Sequence, residues 1–242
     1  MVRKCSYRGM PWDFWLIFLF LGVVIPWRGY IRLKKLLALT SFDSKEKLTL
    51  YAVTIAFQWV LVGVVTWRAF DRGLTLQAMG LGVQSWVGVV SAGVLGAALI
   101  GGLQWLNLRR IGKMEGEVPE LLRKLANRLL PVNVLEYVPY SALAITAGIC
   151  EEFVYRGFGI AALSQAGLPL WLVVILSSIL FGLAHAYQGR GGIVSTGIFG
   201  VLLAIGRLWL GSLVPVMMWH AGLDLAAGVA APRYLLKKAD GT

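Results

Sequence analysis

Seven long apolar runs decide what this chain can fold into. They cover roughly Pro11–Trp27, Leu48–Trp67, Gln84–Leu106, Val134–Leu163, Leu168–Tyr187, Gly192–Leu210 and Ser212–Pro232. About 20 mostly apolar residues are needed for a helix to cross the hydrocarbon core of a bilayer. Inside that core every backbone polar group must be satisfied within helices or a closed barrel. The ten-residue alternating segments of an outer-membrane barrel are missing. The expected fold is therefore all-α, a polytopic transmembrane helical bundle of about seven spans, and the expected location is integral and multi-pass. Composition agrees: hydrophobic residues make up 58% and charged residues 14% of the 242 positions, too few charges to clothe a soluble surface. The net charge of +11 is split among clusters that flank apolar runs, which points to a bilayer partner and away from nucleic acid. Two cysteines, Cys5 and Cys150, imply no disulfide framework.

The first run follows Arg3, Lys4 and Arg8 as a signal peptide would, but no small-residue cleavage site comes after it, so it reads as an uncleaved span. Basic residues set the orientation. Loops one, three and five and the tail carry 16 Lys and Arg against 5 on the opposite side. With seven spans this predicts an outside N-terminus and a cytoplasmic C-terminus, in the plasma membrane if the source is bacterial. An eighth span within loop three would move the N-terminus inside. Residues Pro119–Leu130 interleave Leu with Arg and Lys at helical spacing, and read either as a helix lying in the interface or as a solvated loop helix. The first three spans hold almost no ionisable residues, and every deeply placed charge is expected after Val134. The chain divides accordingly into residues 1–133 and a functional half, residues 134–242.

Ionisable groups inside a bilayer cost about 2.5–3.5 kcal/mol each, so each is a functional hypothesis. The last four spans contain Glu151, Glu152, Arg156, His185, His220 and Asp224, including both histidines of the protein. Glu152 and Arg156 lie four apart, share a helix face and are expected to pair. Glu151 lies about 100° round the helix and is expected to be left without that partner, free for proton chemistry. Phe181 and His185 share a face in the same way, with the ring walling a pocket that the imidazole lines. His220 and Asp224 share another, where a carboxylate fixes an imidazole tautomer or accepts from a water. Two histidines and a carboxylate, here Glu151, His185 and His220, are the ligand types of a catalytic zinc site. A glutamate beside a bound water also suffices for general-base hydrolysis without metal. The residues leave both open. The arrangement carries one difficulty: His185 near the end of its span and His220 in the first half of its own imply a vertical offset of about 13 Å. A break in the Gly-rich stretch Gly189–Gly192 would relieve it.

The pattern Glu151-Glu152-x-x-x-Arg156, then Phe181-x-x-x-His185, then His220-x-x-x-Asp224 resembles the CPBP family of intramembrane proteases, the CAAX proteases and bacteriocin-processing enzymes also called the Abi family. The resemblance covers about Leu135 to Ala231. It implies an intramembrane endopeptidase acting on a membrane-associated protein or peptide. Glu151 would be the general base, and His185 and His220 would hold the water or a zinc ion. Asp224 stands where the family often has asparagine; an ionised aspartate cannot donate to an oxyanion as asparagine does. On this resemblance Glu152 and Arg156 look architectural. Other membrane proteases are excluded by motif, since H-E-x-x-H, G-x-G-D and G-x-S-x-G are all absent from the sequence. Two further classes remain open, an ion- or proton-coupled transporter and a non-catalytic scaffold or immunity protein of the same fold.

Overall fold

The computed structural model describes residues 9–39, 42–82, 85–113 and 120–236. The N-terminal Arg3, Lys4, Cys5 and Arg8, the tail lysines 237 and 238, Gln84 and Pro119 lie outside them. Among the described residues there are eight helices and no strand. They are α1 (Trp12–Ala38), α2 (Ser44–Asp71), α3 (Trp86–Lys113), α4 (Glu120–Leu129), α5 (Val134–Gln165), α6 (Leu170–Ala184), α7 (Gly189–Leu210) and α8 (Val214–Leu236). Five helices are long and apolar enough to cross a membrane, and six do if the bent pair α4–α5 counts as one. The sequence suggested seven. The difference lies mainly at α6, whose 15 residues stop at Ala184 where the apolar run had suggested a span reaching Tyr187. A single turn over Ala186–Gln188 follows, and then Gly189 at φ +80° starts α7 in a conformation that suits only glycine.

Three interfaces build the frame around α8 and α5. Helix α8 packs on one side against α3 and on the other against α5, and α5 leans on α2. The first interface depends on small residues. A Cβ on Gly222 would come within 2.9 Å of Ala97 Cβ, and one on Gly101 within 3.1 Å of Gly222 O. Such close backbone approach is how helices gain dispersion energy where no hydrophobic effect drives them together. Outward-facing Trp12, Trp15, Trp27, Trp67, Trp86 and Trp209 remain exposed, as an aromatic belt requires.

Helix α2 opens with a reciprocal cap. The Glu46 N–H donates to Asp43 Oδ1 (2.8 Å) and the Asp43 N–H to Glu46 Oε2 (2.9 Å). Helix α4 is the stretch read as amphipathic. Leu125 and Ala126 are buried while Arg123 and Lys124 face outward. The chain then turns by 97° into α5. The bend is held from α2: the Tyr51 hydroxyl donates to Leu129 O (2.9 Å) and Lys47 Nζ to Leu130 O (2.9 Å), which satisfies carbonyls at the end of α4. Lys47 also pairs with Glu136 (3.0 Å), whose carboxylate further accepts from Val132 N–H, Ser44 Oγ and Asn133 Nδ2.

Buried charges are therefore not confined to the chain after Val134. Lys47 is 1% exposed, and Asp13 at the start of α1 is 6% exposed. Asp13 accepts from Arg68 Nη2 (2.6 Å) and Arg72 Nε (3.2 Å) at the end of α2. The physical reason is geometric. Residues at the ends of apolar runs look like loop charges in a linear reading, yet helix packing folds neighbouring chain over them.

Candidate active site

The CEEFVYRG segment does not continue as an ordinary α-helix. After Glu152 helix α5 widens into a π-helical turn over Phe153–Gly159, every residue of which is buried. Such turns commonly mark functional sites, because they rotate the side chains that follow out of the regular register. Within this turn Arg156 Nη1 donates to Glu152 Oε1 (2.8 Å) with both side chains fully buried. The guanidinium also lies over the Phe181 ring, 4.1 Å from its centroid.

Glu152 has a second partner. His220 Nδ1 donates to the same Oε1 at 2.9 Å, linking α5 to α8. Since a carboxylate only accepts, Nδ1 carries the proton, and Nε2 points toward Asp224 Oδ2, 3.7 Å away. Asp224 is held in turn through its backbone, whose carbonyl accepts from the Tyr140 hydroxyl (2.9 Å).

Glu151 faces elsewhere. Its Oε1 accepts from Gln58 Nε2 (2.8 Å), a side chain of α2. Its Oε2 is buried with no hydrogen-bond partner among the described residues, and it lies 3.9 Å from His185 Nε2. That separation is too long for a hydrogen bond. His185 caps α6, and its Nδ1 donates to Phe181 O (2.9 Å). The neutral ring therefore presents Nε2 as an acceptor. Two acceptors thus oppose each other across 3.9 Å, a separation that a water donating to both would bridge.

Phe181 packs between the two imidazoles, its centroid 4.7 Å from His185 and 5.5 Å from His220. The expected 13 Å offset does not keep the histidines apart, because α6 ends before His185 and the chain turns there. Glu151, His185, His220 and Asp224 all line one cavity of about 860 Å³, with Phe181 in its wall. Glu152 and Arg156 sit behind that wall, fully buried.

Glu151 is left without Arg156, as the helical spacing implies, and a side chain that the spacing did not suggest holds it: Gln58, from a run in which no motif was recognised. The signal was an amide in the otherwise apolar AFQWV stretch. The sequence leaves a zinc ion and a metal-free water both open; in the structure His220 gives one nitrogen to Glu152 and aims the other at Asp224. Among the described residues, no three His, Cys, Asp or Glu side chains are grouped closely enough to hold one metal ion. Glu151, His185 and His220 as arranged do not form a zinc ligand set.

Residues 133–226 match the family described as type II CAAX prenyl endopeptidase Rce1-like. The stretch includes all three motifs, and the match agrees with the CPBP resemblance they carry. It supports a membrane endopeptidase in general. No curated protein and no solved structure matches the chain.

Proposed function

We propose that this protein is an intramembrane endopeptidase that cleaves a membrane-associated protein or peptide with a water activated by Glu151. The observation that carries the reading is the buried, unpartnered Glu151 Oε2 opposite the acceptor nitrogen of His185. A water donating to both atoms has its oxygen lone pairs directed into the cavity. As that oxygen attacks the scissile carbonyl carbon, Glu151 takes its proton. The C–N bond then breaks, and the same proton passes to the leaving amine. Gln58 keeps Oε1 occupied, so that Oε2 is the oxygen presented to the water.

His220 is positioned for the other half of the step. With Nδ1–H anchored on Glu152, its ring is fixed in the cavity wall, and in the imidazolium form Nε2–H donates to the oxyanion that develops. Asp224 next to Nε2 favours that form. An aspartate can therefore serve where an asparagine would donate directly, by acting through His220. Arg156 holds Glu152 and so sets the His220 ring indirectly. The basic loops and the basic tail are assigned to the cytoplasmic side on their charge alone.

The test is cleavage of a membrane-inserted peptide library by purified protein. General-base assistance is worth about 10²–10⁴-fold, so Glu151→Gln should lose at least the lower figure while still folding in the membrane. Cleavage is expected to survive exhaustive chelation. Wild-type rates in Glu151→Gln would overturn Glu151 as the base and make Glu152 the candidate, whereas no cleavage by the wild type would move the transporter or scaffold reading forward.

A further inference from the structure

The cavity lined by Glu151 has a second chemical feature. Arg28 and Arg32 of α1 both line it. Four residues apart, they present two guanidiniums on one helix face. Neither is ion-paired with a described carboxylate. Arg28 lies over the Phe57 ring, 5.1 Å from its centroid, and the charged neighbour of Arg32 is Arg28 itself. Among the described residues these two like charges, beside an apolar wall, have no counter-ion. This contrasts with Arg68 and Arg72 at the end of α2, which share Asp13 of α1.

We propose that Arg28 and Arg32 form a binding site for the phosphate of an anionic phospholipid, whose hydrocarbon chain lies in the adjoining apolar part of the cavity. Three observations favour a lipid. The cavity that the arginines line is also lined by Leu36, Leu50 and Val53 and by Leu121, Leu125 and Leu129 of amphipathic α4, which is a surface for hydrocarbon. Arg28 is exposed and Arg32 half-buried, so a molecule in the bilayer reaches them without crossing the bundle. Further along α1 follow Lys34 and Lys35, which places this stretch at the membrane interface where lipid phosphates lie. Paired guanidinium forks suit phosphate oxygens geometrically as well as by charge.

The site adjoins the catalytic cluster. Between the two arginines, Gly29 packs against the turn that carries His185: a Cβ there would lie 3.9 Å from Tyr187 Cδ1 and 4.0 Å from Ala184 O. A lipid seated on Arg28 and Arg32 therefore shares the substrate cavity. The inference goes beyond the peptidase reading and does not depend on it.

The test uses the full-length protein in neutral phosphatidylcholine nanodiscs, with lipid retention read by native mass spectrometry. Phosphatidylglycerol is expected to be held about thirtyfold more tightly than phosphatidylcholine, from roughly a fivefold gain per arginine. Arg28→Gln/Arg32→Gln should abolish that preference, and Arg28→Lys/Arg32→Lys, which keeps the charge but removes the forks, should weaken it. Lys34→Gln/Lys35→Gln removes the same charge from α1 outside the cavity and should leave the preference intact, as should Glu151→Gln. The site is overturned if the wild type shows no preference, if the glutamine pair keeps it, or if the lysine control loses it equally. Inorganic phosphate that binds as tightly as the lipid would reduce the site to a free-phosphate site and overturn the lipid. So would a peptide that displaces phosphatidylglycerol with a free C-terminal carboxylate but not when amidated.

Discussion

Replacing Lys47 with methionine tests whether the bend between α4 and α5 is held by a buried ion pair. The Lys47 ammonium donates to Leu130 O and to Glu136 Oε2 at 2.9 and 3.0 Å, and the two side chains are 2% and 1% exposed. Methionine preserves the aliphatic stem and supplies no donor. Breaking one side of a buried pair costs about 3–5 kcal/mol, since the remaining charge has no solvent to return to. Glu136→Leu leaves the ammonium stranded and also frees the Val132, Ser44 and Asn133 donors. The double variant buries neither charge, so its loss should fall short of the sum of the singles by about 2–3 kcal/mol. For a chain of this size about 1 kcal/mol moves Tm by roughly 2–4 °C, which gives a fall of about 6–20 °C for each single variant. Tryptophan fluorescence on heating in detergent reads the shift, and trypsin cleavage at Arg123 and Lys124 reads the release of α4. Singles within about 2 °C of wild type, or a strictly additive double, would refute the argument that burial makes this pair cooperative.

Gln58→Leu removes a hydrogen bond to a carboxylate, worth about 1.5–3 kcal/mol, and should lower kcat by roughly 10–150-fold with little change in protein yield; an unchanged kcat would remove Gln58 from the machinery. Gly148→Val is expected to abolish cleavage while the protein remains in the membrane, because a Cβ there already meets Met217 O at 2.7 Å and Ala221 N at 2.9 Å, next to His220 on α8. A Gly148→Val enzyme of normal activity would show that the α5–α8 spacing does not set the site. Arg156→Lys keeps a cation but loses the planar group over Phe181. It should yield a folded protein with a disturbed His220 imidazole NMR signal and reduced kcat; wild-type values of both would disconnect Arg156 from the site.

Much of this arrangement could be read from local spacing. Glu152 with Arg156, Phe181 with His185, and His220 with Asp224 are each four apart, and helical geometry alone puts each pair on one face. The apolar runs likewise announce the spans. What escaped the linear reading are contacts that close over long stretches of chain. His220 meets Glu152 across 68 residues, Gln58 meets Glu151 across 93, and Lys47 meets Glu136 across 89. Nothing near Lys47 distinguishes it from a lysine that faces water at a span end, and the acid that captures it belongs to a different helix. The π-helical turn was also hidden. Its residues, Phe153 to Gly159, are apolar apart from Arg156, and a period of 3.6 fits them no worse than the wider turn they adopt.

The contact between Gln58 and Glu151 also bears on how this protein can be dissected. The stretch that matches the family begins at residue 133, yet two of the acids within it are completed by donors that precede it, Gln58 for Glu151 and Lys47 for Glu136. A fragment cut at that boundary would keep every motif residue. It would also carry one carboxylate turned toward lipid and another without its counter-charge. The recognisable half is therefore not a portable catalytic module, and transplanting it onto other N-terminal helices would require an amide and an ammonium at matching heights on the helix that replaces α2.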